Sequence, residues 1–347
     1  MSDTLDNENI LAQKDPEGAL RVALEQCQQA SFDVDVLNKE HDDREIKNIV
    51  VTGMGGSALA ALLAKVWLKN DISIPFEIIR GYDLPSYVGY NSLVIASSYS
   101  GNTEETVSAL RQAEAAGAQI GVIASGGKLT GIATEGNMTY ASLPSGLQPR
   151  MAVIYNLRAL VALFENFGVV EGKLQEIEAL SEWLGNESAA WAASVPTEHN
   201  YAKQLAEQAV GKTPVFYGGA LTAPVAYKWK ISFNENAKNV AFWNEYPEFN
   251  HNEFLGWTSH PVEKPFVVFD LVSNLEHPQI LKRFEISDRL LSGKRPKAIT
   301  INLAGDSLIA QLLWSSIFAD FVSIYVAILN GVDPTPVELI EKFKKEL

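Results

Sequence analysis

Two strand-to-helix turns in the first half of the chain carry the residue types that bind an anion. In Gly53-Met54-Gly55-Gly56-Ser57 the glycines let a ligand approach the backbone and point successive N–H groups at it. In Ser98-Tyr99-Ser100-Gly101-Asn102-Thr103 the serines lie two apart, so an extended turn places them on one face. Gly101 bends the chain, and Asn102 and Thr103 stand where a helix begins. Unpaired N–H groups and the helix dipole favour a phosphate there. The same residues serve elsewhere as ordinary caps and turn formers. A shared position at the carboxyl end of one parallel sheet, where α/β proteins bind ligands, shifts the reading toward a phosphate site. A dinucleotide site is disfavoured. Gly53-x-Gly55-x-x-Ala58 fits the loose glycine pattern, but the second strand ends in the cation of Ile78-Ile79-Arg80 where a ribose needs a carboxylate.

Proton chemistry has four candidates. Phe233-Asn234-Glu235-Asn236-Ala237-Lys238 sets one carboxylate between two amides. Adjacent helical side chains point about 100° apart, so the amides hold backbone and neighbours while Glu235 projects. The alternative is a solvated face on which Glu235 and Lys238 pair at three residues' spacing. His251 lies in a loop-like segment, Pro247 to Glu253. With five histidines and no H-x-x-H or H-E-x-x-H spacing, no metal site is expected. Arg150 follows Pro149 at the expected carboxyl edge of the first sheet, as a site cation or as a surface ion-pair partner. Lys344 stands with Lys342 and Lys345 in a basic tail, which is also normal at a helix C-terminus.

The elements that must position these groups alternate. Asp15-Pro16-Glu17 reads as a helix start with Asp15 as cap. Strands are expected at Ile49–Val51, Ile74–Ile79, Leu93–Ser97 and Ile120–Ala124, with helices from Ala58 to Lys69 and Thr103 to Ala116. That rhythm implies an α/β fold with a mainly parallel sheet covered on both faces. The second half loosely repeats it: strand Val215–Tyr217, Gly218-Gly219, a helix through Lys238, then strands at Phe266–Leu271 and Ala298–Leu303. The expected division is an N-terminal helical extension (1–46), a first domain (47–168), a helical connection (169–198), a second domain (199–332) and a tail helix (333–347). In the tail, Leu339, Ile340, Phe343 and Leu347 fall on one side.

Composition sets limits. A chain of 347 residues with nearly half of them apolar has enough material for two cores. A net charge of −14 argues against a nucleic-acid surface, which needs clustered Lys and Arg. Cys27 is the one cysteine, so neither an internal disulfide nor a thiolate metal cluster is available. Met1 to Asn9 is acidic and polar, unlike a signal peptide. The apolar stretch Leu312–Leu329 contains Asp320 and several serines and reads as a buried helix rather than a membrane span. A cytoplasmic location is expected.

Taken together, the two glycine- and serine-bearing turns, the Asn-Glu-Asn-Ala-Lys segment and Pro247-Glu248-Phe249-Asn250-His251-Asn252 resemble the bifunctional phosphoglucose/phosphomannose isomerase family, a two-domain branch of the sugar-isomerase (SIS) fold. The resemblance covers nearly the whole chain. It implies two doubly wound domains, no cofactor, no metal, and a sugar 6-phosphate held by Gly56, Ser57, Ser98, Ser100 and Thr103. It implies Glu235 as the base moving a proton between C1 and C2, and Arg150 as the cation beside the enediolate. It further implies His251 as the ring-opening group, supplied by the other subunit of a homodimer, and Lys344 as the tail lysine, with Lys342 and Lys345 as neighbours. Tolerance of mannose 6-phosphate is tied to room around Thr335. Ala58 departs from the family, which often has a further glycine there. A sugar-phosphate-binding regulator without catalysis, and an isomerase of another phosphosugar, stay open at this point.

Overall fold

The computed structural model describes residues 2–259 and 265–346. The chain forms two compact units, Gln26–Glu182 and Met1–Glu25 with Trp183–Leu347.

Within Gln26–Glu182 the described strands are β1 (Val36–Leu37), β2 (Asn48–Thr52), β3 (Phe76–Ile79), β4 (Ser92–Ser97), β5 (Gln119–Ala124) and β6 (Thr139–Ser142). They form one sheet in the order β1-β6-β5-β4-β2-β3, parallel throughout except for β1 against β6. The apolar runs Ile49-Val50-Val51 and Leu93-Val94-Ile95-Ala96 are wholly buried, as central parallel strands covered by helices must be. From β2 the chain steps outward to β3, then returns to the other side of β2 to make β4. The switch point therefore lies between β2 and β4, whose ends pair as Thr52↔Ala96. Both anion-type turns leave the sheet there, side by side at its carboxyl edge.

The second unit carries β7 (Thr213–Gly218), β8 (Phe242–Glu245), β9 (Phe266–Val272) and β10 (Ile299–Asn302), all parallel in the order β10-β9-β7-β8. This is the order of β5-β4-β2-β3, so the loose repeat read from the sequence is a repeat of topology. Its core is aromatic: Phe216 stacks on Phe269 and contacts Trp229 and Phe233. The long apolar stretch is a helix, Leu308–Asn330, and 94% of its most apolar window is buried inside the protein, so it is a core helix.

Several sequence expectations need correction. The helix expected from Pro16 begins at Ala19: Asp15 does cap it, accepting from the N–H groups of Ala19 and Leu20 at 2.7 and 2.9 Å. Gly18, at φ 73°, turns the chain between cap and helix. A further helix, Glu8–Lys14, precedes it, capped by Asn7. The helix expected through Lys238 stops at Glu235. The strand β8, the strand β6 and the helix Gly127–Glu135 were not foreseen; β6 and β8 are four residues each, too short to show a period.

Asp270 on β9 is buried, its Oδ1 has no hydrogen-bond partner among the described residues, and burial pushes its carboxyl up to about 7 against the opposing pull of Arg295. A free Asp titrates near about 3.9. The folded form thus holds a proton that the unfolded chain releases between those values, so stability falls as pH rises from about 4 to 7. Asp270→Asn should melt like the parent near pH 4 and above it at pH 8. Parallel falls in melting temperature for both proteins across that window would remove Asp270 as the cause.

Candidate active site

The turn after β4 gathers its hydroxyls. Ser98 Oγ lies 2.7 Å from Thr103 Oγ1 and 3.5 Å from Ser100 Oγ, and accepts from the Gly101 N–H at 3.2 Å. Thr103 is the N-cap of the helix Glu104–Ala115, yet its side chain makes no cap bond to that helix. The ordinary-cap reading fails for Thr103: its hydroxyl is turned into the turn, and the first N–H groups of the helix keep their capacity for an anion. Ser100 is exposed, Ser98 buried and Thr103 between the two.

Ser57 joins the two turns. Its buried hydroxyl accepts from the Tyr99 N–H at 3.0 Å and sits 3.4 Å from Asn156 Oδ1. Gly56 is needed for contact: a Cβ there would lie 2.5 Å from Pro149 O and 3.3 Å from Arg150 N. The turn Pro149–Met151 is pressed against the start of the helix Gly55–Trp67, and Gln29 Nε2 holds it from behind by donating to Met151 O at 2.7 Å. Arg150 is 2% exposed, so the surface ion-pair reading does not apply; its Nη1 donates to Gln148 Oε1 at 3.4 Å.

A third turn, Ser125-Gly126-Gly127 after β5, was missed in the sequence, although an apolar strand followed by Ser-Gly-Gly was the available signal. It buttresses the second. Ser125 Oγ donates to Tyr99 O at 2.6 Å, and Asn102 Oδ1 accepts from the Lys128 N–H at 3.0 Å. Tyr99 itself donates to Pro144 O at 2.7 Å, and burial pushes its phenol up. A cavity of about 280 Å³, lined by His41, Arg44, Gln119 and Glu165 among others, lies at the amino end of this sheet, away from the three turns.

In the other unit the Asn-Glu-Asn-Ala-Lys segment is a helix stop. Glu235 is the last residue of the helix Ala223–Glu235 and is half-buried; Asn236 is its C-cap. Asn236 Nδ2 donates to Ser323 Oγ at 2.9 Å, and Asn234 Nδ2 to Asn239 O at 2.9 Å. Lys238, at φ 52°, donates from Nζ to the carbonyls of Glu235 and Pro334, both at 2.9 Å. A solvated helix face is therefore the wrong description of this segment, because the helix has ended and its lysine is fastened to backbone.

His251 is exposed at the end of the 3₁₀ turn Glu248–His251, on a different element from Glu235. The turn is fixed on both flanks. Asn250 Nδ2 donates to Ser287 Oγ at 2.9 Å and Asn250 Oδ1 accepts from Arg283 at 3.1 Å. Glu253 accepts from Tyr217 Oη and from Asn244 Nδ2, and Trp257 Nε1 donates to Tyr217 Oη at 3.0 Å. Burial, then the Glu253 charge, raises the Tyr217 phenol far above its usual range, so it stays a donor. Lys344 is exposed in the tail helix Glu338–Glu346 and pairs with Glu341 at 3.0 Å. Lys342 is also exposed, as are Leu339 and Phe343, while the Lys345 side chain and Leu347 lie outside the described residues. Among the described residues no group of three or more His, Cys, Asp or Glu is placed to hold a metal ion.

Two doubly wound units with an anion-type turn at a switch point define a sugar-isomerase (SIS) architecture. Residues 44–142 match the SIS domain, and residues 198–347 match the bacterial phospho-glucose isomerase C-terminal SIS domain. A bifunctional phosphoglucose/phosphomannose isomerase of Caldicellulosiruptor bescii is 37% identical over 87% of this chain and 90% of its own. A D-glucosamine-6-phosphate 4-epimerase of Sulfolobus acidocaldarius is 33% identical over 61% of this chain and 65% of its own. A glucose-6-phosphate isomerase like protein from Thermus thermophilus, 18% identical, superposes with a TM-score of 0.66 over 99% of each chain, a likeness of fold. The chain belongs to the bifunctional phosphoglucose/phosphomannose isomerase family.

Proposed function

We propose that the protein interconverts glucose 6-phosphate, and mannose 6-phosphate, with fructose 6-phosphate by metal-free proton transfer through a cis-enediol. The likeness to the Caldicellulosiruptor bescii isomerase along 87% of this chain supports the reading most. Gly56, Ser57, Ser98, Ser100 and Thr103 hold the phosphate, with Ser57 bridging the two turns as much as binding. The Glu235 carboxylate takes the proton from one carbon of the C1–C2 pair and returns it to the other. Arg150 faces the enediolate with a fixed positive charge in a dry setting, where such a charge stabilises most. Glucose and mannose 6-phosphates share one enediol, so a base that reaches either C2 configuration serves both, with Thr335 bordering the choice. The working division stays 47–168 and 199–332, and the location cytoplasmic.

His251 and Lys344 complete the proposal, with His251 opening the sugar ring in the site of the second subunit of a homodimer. Mixing His251→Ala with equal Glu235→Gln protein under conditions of subunit exchange should then restore about a quarter of the parental activity, because about half the dimers are mixed and each has one intact site of two. Proven exchange without recovery would place His251 in its own subunit's site or in none.

The deciding experiment is incubation with fructose 6-phosphate in excess EDTA, followed by NMR. Both aldose 6-phosphates should appear, and glucose 6-phosphate alone would strike mannose from the reading. Because of the Sulfolobus relative, D-glucosamine 6-phosphate is run in parallel. Turnover of that sugar with none of fructose 6-phosphate would replace the proposal.

A further inference from the structure

Lys228 and Asp320 are both fully buried and meet Nζ to Oδ1 at 2.7 Å, inside the packing of the helices Ala223–Glu235 and Leu308–Asn330. Removing two such charges from water costs several kcal/mol per ion, and apolar residues of the same volume often stabilise a core as well or better. Stability alone is therefore a poor account of the pair. Its geometry supplies another. Lys228, Ser232 and Asn236 follow one another at four-residue intervals, which is one stripe of a helix. All three converge on the same oxygen: Ser232 Oγ donates to Asp320 Oδ1 at 2.8 Å, and Asn236 Nδ2 reaches it at 3.4 Å. Asn236 also donates to Ser323, whose hydroxyl donates to the Asp320 carbonyl at 3.0 Å.

This stripe ends beside Glu235. The last turn of a helix has carbonyls without intrahelical donors and frays unless something holds it. A catalytic group tolerates about 0.5 Å of error. A base on the final residue of a helix thus needs its backbone fixed from outside. Asp320 holds the residue after Glu235 on the core side, and Lys238 holds the Glu235 carbonyl on the other.

We propose that the buried Lys228–Asp320 pair, acting through Ser232, Asn236 and Ser323, is a positioning device for Glu235. These residues touch no substrate; they set where the carboxylate stands. The inference rests on the reading of Glu235 as the base.

The test replaces the pair by matched apolar residues, Lys228→Met with Asp320→Leu, in the full chain, so that no buried charge is left alone. A second variant, Asn236→Ala, keeps the pair and cuts its link to the helix end. Each is assayed with fructose 6-phosphate, and its intact sites are counted by calorimetric titration with glucitol 6-phosphate, an unreactive analogue. For both variants kcat per titrated site should fall about 10- to 100-fold, with the analogue's affinity and KM within about threefold of the parent. The combined triple variant should be no worse than the double, since all three changes break one device. Loss of titratable sites with unchanged kcat per site would mean a structural role only and would overturn the proposal. So would kcat per site within twofold of the parent in Asn236→Ala, which decides the matter even if the double variant fails to fold. Glu235→Gln is run alongside: if it turns over normally, the base assignment is wrong, whereas an inactive Glu235→Gln beside fully active positioning variants sinks this inference alone.

Discussion

Glu235→Gln should bind fructose 6-phosphate as the parent does and turn it over at least about a thousandfold more slowly, in the upper range of what a general base contributes. The amide has the shape of the carboxylate but cannot accept and return a carbon-bound proton. Because the change removes something used only in the transition state, kcat and kcat/KM should fall together. Folding should be untouched. The segment is held through main-chain carbonyls at Glu235 and Pro334 and through the Asn236 side chain, anchors that the substitution leaves in place. The measurement is exchange of deuterium from solvent into C1 and C2, followed by NMR. The parent should incorporate label whenever the proton on its base exchanges with solvent before it is returned, and the variant should not. Residual turnover within tenfold of the parent would transfer the role to another group.

What could be read from the sequence divides along a physical line. Local patterns carried the sheet: buried runs such as Ile49-Val50-Val51 and Leu93-Val94-Ile95 have one structural outlet, and the turns after them were placed at the right edge. The gathering of hydroxyls in the turn after β4 was also legible, because hydroxyls and a glycine at a helix start are a local device. Where the determinant is distant, reading failed. The helix was extended to Lys238 because, past its first turn, no glycine or proline stands before that point to stop it. It ends where it does because Lys238 adopts φ 52° and fastens to Pro334, 96 residues on. Asp320 was visible as a charge in an apolar helix, but its partner Lys228 is 92 residues away and carries no local mark. Arg150 stayed open between a site cation and a surface ion-pair partner for the same reason, since nothing in Pro149-Arg150 announces that Gly56 packs on it.

The second large effect concerns Gly101. It sits at φ 69°, a conformation that costs a residue with a Cβ about 1–2 kcal/mol. A Cβ there would also fall 1.7 Å from Gly126 O, a backbone atom that no rotamer change can move. The turn after β4 and the turn after β5 are tied to one another by Leu129 N donating to Gly101 O at 2.9 Å, and by the Asn102 and Ser125 bonds. Gly101→Ala must therefore push one turn off the other and break the spacing of Ser98, Ser100 and Thr103. It should lower stability by more than about 2 kcal/mol. More tellingly, inorganic phosphate should raise the melting temperature of the parent and not of this variant, since a ligand that binds only the folded site stabilises it by mass action. Gly131→Ala is the control: it lies within the helix Gly127–Glu135, with open space where its Cβ would go, and should gain up to about 1 kcal/mol while leaving the phosphate response intact. If Gly101→Ala still responds to phosphate as fully as Gly131→Ala, the anion does not bind at the turn after β4, and the phosphate must be held by the Gly53–Ser57 turn without it.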